Sequence, residues 1–298
     1  MLFLFTGDLH LTDKTPINRI DDYEKTILNK FQFILDTGKQ YKVDCILQPG
    51  DFTDYPHIPY SLFSDIAKRI NTCGINWIVI RGQHDLHYRR EENNAVDALC
   101  NSVPNINFVS YLDNLTYNIY GASYGKEIPI VEDHTKFNIL LIHKMIIGND
   151  KLWDAQKDYV TANNLLRKQK YFNVILSGDN HQSFITEHKG RYLFNCGSMM
   201  RSNVSQVNHK PFIIVFDTDN PAAYKKIFIP IELPEKVFDF SKVKLEKEQT
   251  ESLNVFVEGL SEQKELKFTF MDNLLAYAKL NNISKEITDI ILDCAGGK

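Results

Sequence analysis

Acids and imidazoles gather in this chain just past short apolar runs. LFLFTGDLH ends in Asp8 and His10, CILQPGD in Asp51, WIVIRGQHD in Gln83, His84 and Asp85, ILLIH in His143, and VILSGDNH in Asp179 and His181. Short apolar runs bounded by glycine read as buried strands. In an open α/β sheet, ligands collect beyond the carboxyl ends of the strands, because the loops there are displayed on a rigid scaffold. Five strand ends carrying carboxylates and imidazoles therefore imply one shared site. Aspartate oxygen and imidazole nitrogen, with no cysteine in any of the five loops, suit borderline-hard divalent ions such as manganese, iron or zinc. Asp8 and His10 are two apart, so in extended backbone they point to the same side and could grip one ion. Asp51, one residue past a glycine, could bridge two. Paired ions about 3.5–4 Å apart clamp the attacking and leaving oxygens of a displacement at phosphorus, so phosphoester hydrolysis is the chemistry such a site would support.

The elements that must position these residues follow from hydrophobic spacing. Between the first two runs, DDYEKTILNKFQFILDTGKQ places Tyr23, Ile27, Phe31, Ile34 and Leu35 at steps of three and four, with Asp21 or Asp22 as N-cap, which predicts an amphipathic helix. A second helix is expected over roughly 59–73, with Leu62, Phe63, Ile66 and Ile70 on one face. Strand, helix, strand, helix, strand reads as parallel βαβ units. Past about residue 106 the runs are shorter and helix signals thin out except near 160–170, which predicts a second, more antiparallel sheet packed on the first. The expected fold is α/β, a two-sheet α/β/β/α sandwich spanning 1–234. Residues 235–298 are charge-rich, with helical stretches over about 265–281 and 284–294, and are expected to form a small C-terminal appendage for capping or partner docking.

Composition sets the remaining bounds. A chain of 298 residues with 43% apolar content is long enough for one large core and an appendage, and too apolar to be disordered. Its formal net charge of -4 argues against a global basic footprint for nucleic acid, though not against a local patch. Five widely spaced cysteines, Cys45, Cys73, Cys100, Cys196 and Cys294, form no CxxC pair, so neither a disulfide framework nor a zinc knuckle is expected. The N-terminal apolar run is far shorter than a signal peptide's and no stretch approaches a membrane span. A cytoplasmic, reducing setting without a membrane partner is the expectation.

The ordered set GDLH, GDFTD, GQHD, IH and GDNH resembles the signature of the calcineurin-like metallophosphoesterases, DxH, GDxxD, GNH[DE], H and GHxH. Each motif alone is weak, and five in order, each after an expected strand, are specific. The resemblance covers about the first 200 residues and implies the same two-sheet sandwich. It implies two divalent ions, with manganese favoured and magnesium, iron or zinc as alternatives. Asp8, His10, Asp51 and His181 would hold one ion; Asp51, Gln83, His143 and Asp179 would hold the other. His84 would protonate the leaving oxygen or steady the phosphate, with Asp85 orienting it. Two positions depart from the pattern. Gln83 replaces an asparagine, carrying its amide one methylene further out, and Asp179 replaces the first histidine of GHxH, which shifts the second site toward hard ions. Asn180 reads as a spacer.

Within that family, NCGSMMRSNVSQVNHKPFIIVFDTD, residues 195–219, is similar to a segment of the phage and bacterial SbcD-like repair nucleases. That similarity implies a DNA nuclease subunit in end processing or recombination, with DNA and an SbcC-type ATPase as partners, and leaves a homodimer open. Gly197, Ser198 and Arg201 would face phosphate on this reading, and Arg89 and Arg90 would grip a DNA backbone by charge. Two other readings stand beside it: a phosphatase or phosphodiesterase acting on a nucleotide, metabolite or phosphoprotein, and a catalytically impaired scaffold of the same fold.

Overall fold

The computed structural model describes residues 1–86, 92–148 and 159–241, with scattered positions between 275 and 288. The chain divides into two compact units, Met1–Phe238 and Asp239–Lys298. The helices expected over 265–281 and 284–294 fall largely outside the described residues. So does the docking role expected of the C-terminal segment.

Two six-stranded sheets make up the first unit. One has the order Asn220–Phe228 (β14), Phe212–Asp217 (β13), Leu2–Phe5 (β1), Cys45–Gln48 (β2), Asn76–Val79 (β3) and Ile106–Phe108 (β4). The strands β1 to β4 run parallel, and β13 pairs antiparallel with β1. The second has the order Phe184–His188 (β11), Arg191–Asn195 (β12), Val174–Gly178 (β10), Phe137–His143 (β7), Tyr117–Ala122 (β6) and Tyr111–Asp113 (β5). A short pair, Ile146–Ile147 (β8) and Val160–Thr161 (β9), stands apart.

The second sheet is less antiparallel than its sequence suggests. Its centre, β6, β7, β10 and β12, is parallel, and only the edges β5 and β11 pair antiparallel. Parallel pairing needs only a crossover of about a dozen residues or more, usually but not always a helix. Here β6 reaches β7 through a loop and β10 reaches β12 through the edge strand β11, so the helical signal that marks βαβ units is missing. The structure adds a helix that the spacing does not predict, Ala95–Ser102 (α3), capped by Asn94 through the amide of Asp97.

Side-chain alternation divides the core into three layers. From β1, Leu4 packs with the helices Tyr23–Tyr41 (α1) and Tyr60–Cys73 (α2), while Phe3 and Phe5 point into the space between the sheets. Ile119, Ile139, Leu141, Val174 and Leu176 meet them there from the second sheet. On that sheet's outer face, Leu140, Ile142 and Ile175 pack with Leu165 and Leu166 of Ala162–Lys168 (α4). Strands buried on both faces read as continuous apolar runs, which is why LFLF and WIVI show no polar alternation. The result is the α/β/β/α sandwich. Asp22 is the cap of α1, accepting from the Lys25 amide at 3.1 Å.

Trp77 of β3 is fully buried, with the Phe31 and Phe52 ring centroids each 5.8 Å away. Phe52 directly follows Asp51, so this aromatic cluster anchors the loop after β2 to the helix layer. Trp77→Ala is expected to cost about 3–5 kcal/mol of unfolding free energy through the cavity it leaves. Urea denaturation would show it as a lower midpoint with an unchanged slope.

Candidate metal centre

The five loops converge at the carboxyl ends of β1, β2, β3, β7 and β10, where the two sheets meet. Asp8 carries out the junction. Its amide donates to the Gly197 carbonyl at 3.2 Å, and its carbonyl accepts from the Met199 amide at 2.8 Å, tying the end of β1 to the end of β12. Close backbone approach demands glycine here. A Cβ on Gly82 would lie 2.1 Å from Asp51 Oδ1, and one on Gly178 would lie 2.4 Å from Asp8 Oδ1. His10, Asp51 and Asp179 all take positive φ, at 47°, 52° and 84°. Backbone strain of this kind persists where the surroundings over-determine it, and it clusters at functional sites.

The ligand atoms form a tight group. His10 Nε2 lies 3.0 Å from His181 Nε2 and 3.7 Å from Asp51 Oδ2. His181 Nε2 is 3.7 Å from Asp8 Oδ2, and His143 Nε2 is 3.3 Å from Asp51 Oδ2. Asp8, His10 and His181 each offer an atom within 4.8 Å of the others. Neighbouring groups fix the orientations: Asp8 Oδ2 accepts from the Asp179 amide at 3.0 Å, and Asp51 Oδ1 from the His84 amide at 2.8 Å. His143 Nδ1 donates to the Pro49 carbonyl at 2.7 Å, which leaves Nε2 as the ligand nitrogen.

Four buried atoms here have no hydrogen-bond partner: Asp8 Oδ1, Asp51 Oδ2, His143 Nε2 and His10 Nδ1. Buried polar atoms are almost always satisfied, so orphans concentrated in one place call for a missing partner. A divalent cation meets that need, because carboxylate oxygens and imidazole nitrogens are its ordinary donors. The donor set fits the metal.

Electrostatics agree. Burial, reinforced by Asp51, pushes the Asp8 carboxyl up to about 8, although His143 and His10 oppose it. Burial alone would lower His143, but Asp51, Asp8 and Asp179 raise it to about 10. His181 moves the other way, down to about 4, through burial and then the charge of His10. Burial also raises Asp179, His143 opposes the shift, and Asp51 adds to it. Three acids and several imidazoles held this close are mutually frustrated until a multivalent cation joins them.

Asp179, half-buried, holds Asp8 through its backbone amide and lies close enough to His143 to raise its pKa, while Gln83 is exposed. Asp85 does not touch the His84 ring. Its buried carboxylate accepts from the amides of Gly82, Phe52 and Thr53 at 2.8, 3.3 and 3.0 Å, so it staples the loop after β3 to the loop after β2. Asp54 is what contacts that ring. His84 Nδ1 donates to the Asp54 carbonyl at 3.0 Å and lies 3.7 Å from its carboxylate. Asp54 Oδ1 also sits 3.2 Å from His10 Nδ1, off the line of a hydrogen bond, and His10, Asp54 and His84 form a second group able to hold an ion. The signal for Asp54 was present, as the last acid of GDFTD.

Ser198 and Arg201 do not face phosphate. Ser198 is buried, donating to the Met200 carbonyl at 2.8 Å and accepting from Gln206 Nε2 at 3.0 Å. Gly197, at φ 71°, turns the chain inward there. Arg201 is buried and donates to the carbonyls of Val207 and Glu232, satisfying loop acceptors that would otherwise be orphaned. Asn180 is more than a spacer: buried, it donates to the Ile146 carbonyl at 2.8 Å and accepts from the Gln182 amide at 2.9 Å, shaping the turn that carries His181. Arg89 and Arg90 lie outside the described residues.

The calcineurin-like phosphoesterase family profile matches residues 1–212. The chain belongs to that family. A search of curated proteins finds no match. Among solved structures the chain is similar to a protein of Thermus thermophilus, at 10% identity and a TM-score of 0.49, covering 77% of this chain and 99% of that one. It is also similar to an archaeal phosphodiesterase, at 14% identity and a TM-score of 0.42, covering 76% and 99% of the two chains. A dimetal phosphatase from Danio rerio is similar at 9% identity and a TM-score of 0.48, covering 72% and 91%. Among the described residues, no helix is long and apolar enough to cross a membrane.

Proposed function

We propose that this phosphoesterase is a metal-dependent phosphodiesterase acting on DNA, the nuclease subunit of an end-processing assembly with an SbcC-type ATPase. One observation carries the hydrolytic reading: the orphaned buried Asp51 Oδ2 and His143 Nε2 lie 3.3 Å apart, in a cluster where Asp8 Oδ1 is orphaned as well, beside the half-buried His84. The step to DNA is supported by the segment 195–219 and its likeness to SbcD-like nucleases. Asp8, His10, Asp51 and His181 would hold the first ion, and Asp51, Gln83, His143 and Asp179 the second. Divalent ions bound there supply Lewis acidity and activate water for attack at phosphorus, with manganese favoured.

The chain's own groups do the rest. Asp51 faces both imidazoles that flank the centre, so one carboxylate serves both halves. His84, half-buried at the mouth, has Nδ1–H engaged by the Asp54 carbonyl, so in its imidazolium form it would present the Nε2 proton to the leaving oxygen. His84→Ala is therefore expected to lower turnover of bis-p-nitrophenyl phosphate and of linear DNA in manganese by about 10²–10⁴-fold, with bound metal retained. Cleavage of no DNA substrate, with rapid turnover of p-nitrophenyl phosphate, would replace the nuclease reading by the phosphatase one. Absence of turnover on every ester would leave the scaffold.

A further inference from the structure

A cavity of about 780 Å³ opens at His181, whose ring belongs to the metal cluster, and extends to Lys226 and Phe228 on the edge strand β14. Among the described residues no aspartate or glutamate lines it, in a chain whose formal net charge is -4. Its cations are Lys210 and Lys226, both exposed, and no described carboxylate pairs with either. Lys226 rests instead on aromatic faces, with Nζ 4.0 Å from the Phe212 ring centroid and 5.0 Å from that of Phe228. Strand alternation puts Lys226 and Phe228 on the same face of β14. Phe228 is 55% exposed, and its ring stands at 79° to that of the buried Phe212, its partner across the sheet. The side-chain amides of Gln182 and Asn208 complete the wall.

This lining selects among phosphate compounds. A monoester or a phosphopeptide brings one phosphate, which the metal cluster would take, and leaves two lysines and an open aromatic face with nothing to meet. A nucleic-acid strand brings further phosphates at regular spacing and a flat base beside each. We propose that this groove seats the single-stranded stretch of nucleic acid adjoining the phosphodiester at the cluster, with Lys210 and Lys226 toward its phosphates and Phe228 stacked on a base. The proposal rests on the phosphodiesterase reading above and adds to it where the strand lies and which residues hold it.

Fluorescence anisotropy of the full chain with a short fluorescein-labelled oligothymidylate, in EDTA so that nothing is cleaved, reads the groove directly. Phe228→Ala is expected to weaken binding about fivefold or more without changing its salt dependence, as for a lost stacking platform. Lys210→Ala combined with Lys226→Ala is expected to reduce the slope of log K against log salt by about 1.4, since each single-strand phosphate contact contributes about 0.7. In manganese, both variants should turn over bis-p-nitrophenyl phosphate, a diester with one phosphate and no nucleobase, at the unaltered rate. Unchanged oligonucleotide affinity and salt slope in both variants, or no binding at low salt by the parent protein, would overturn the groove assignment while leaving the hydrolase standing. Binding that responds as expected in a protein that cleaves neither substrate would uphold the groove and refute the hydrolase.

Discussion

Replacing Asp51 by asparagine is expected to lower turnover of bis-p-nitrophenyl phosphate about a thousandfold or more, the loss of several kcal/mol of transition-state charge stabilisation. Asp51 occupies the middle of the site. One oxygen accepts from the His84 amide at 2.8 Å, while the other lies 3.7 Å from His10 Nε2 and 3.3 Å from His143 Nε2 with no hydrogen-bond partner of its own. An amide of the same shape must turn its NH₂ either toward the His84 amide or into the place a cation would occupy. Both orientations set a donor against a donor or a cation. Metal analysis of the purified variant should show fewer ions per chain than the parent, and circular dichroism should show the fold retained. Parent-like turnover together with parent-like metal content would remove Asp51 from the centre, and with it the bridging role that the two flanking imidazoles imply.

The stability of the metal-free protein should fall as pH rises through the neutral range, and divalent ions should reverse that fall. Asp8, raised by burial and by Asp51 to about 8, and His143, raised to about 10 by Asp51, Asp8 and Asp179 against the opposing effect of burial, both bind protons more tightly folded than unfolded. Each stabilises the fold while protonated, and that contribution is lost as pH climbs, from about 4 to 8 for Asp8 and from about 6.5 to 10 for His143. His181, depressed to about 4 by burial and His10, acts in the opposite sense: its contribution is present above about 6.5 and is lost as pH falls toward 4. The Asp8 and His181 contributions oppose each other between about pH 4 and 6.5, so the expected outcome for the protein in EDTA is little net change there and a fall above it, where Asp8 and His143 act together. Cations bind the deprotonated ligands and so replace the missing protons. The gain in melting temperature on adding manganese should therefore grow with pH, reaching about 2.7 kcal/mol of stabilisation once free ion stands near 100 Kd. A gain that is flat or declining between about pH 6 and 8 would show that these groups are not the ligands.

How much of this was legible beforehand can be argued residue by residue. Asp8, His10, Asp51, His143 and His181 stand out because buried parallel strands write continuous apolar runs, and a polar residue just past such a run has few places to go. Asp54 escapes a reading of the sequence although GDFTD contains it, because nothing in linear spacing tells which acid of a motif turns toward a histidine thirty residues away. Asp85 invites that role by proximity to His84 in the chain, yet neighbours in sequence at a turn point in different directions, and its carboxylate is spent on the amides of the adjacent loop. Ser198 and Arg201 look available for phosphate because the resemblance of segment 195–219 implies it, and a likeness in sequence does not tell which way a turn faces; here the turn folds inward and the guanidinium serves loop carbonyls. The parallel centre of the second sheet is hidden because two of its crossovers are not helices.

Taken alone, the amino-acid order determined the class of fold, the strand ends where polar groups collect, and the kind of ion those groups suit, since hydrophobic period and donor chemistry are local properties. Only the folded chain decided which oxygens and nitrogens meet, that His84 leans on Asp54, and that a groove without acids among the described residues leads away from His181. Those outcomes depend on distances between segments far apart in sequence, which packing of the two sheets sets and no local pattern encodes.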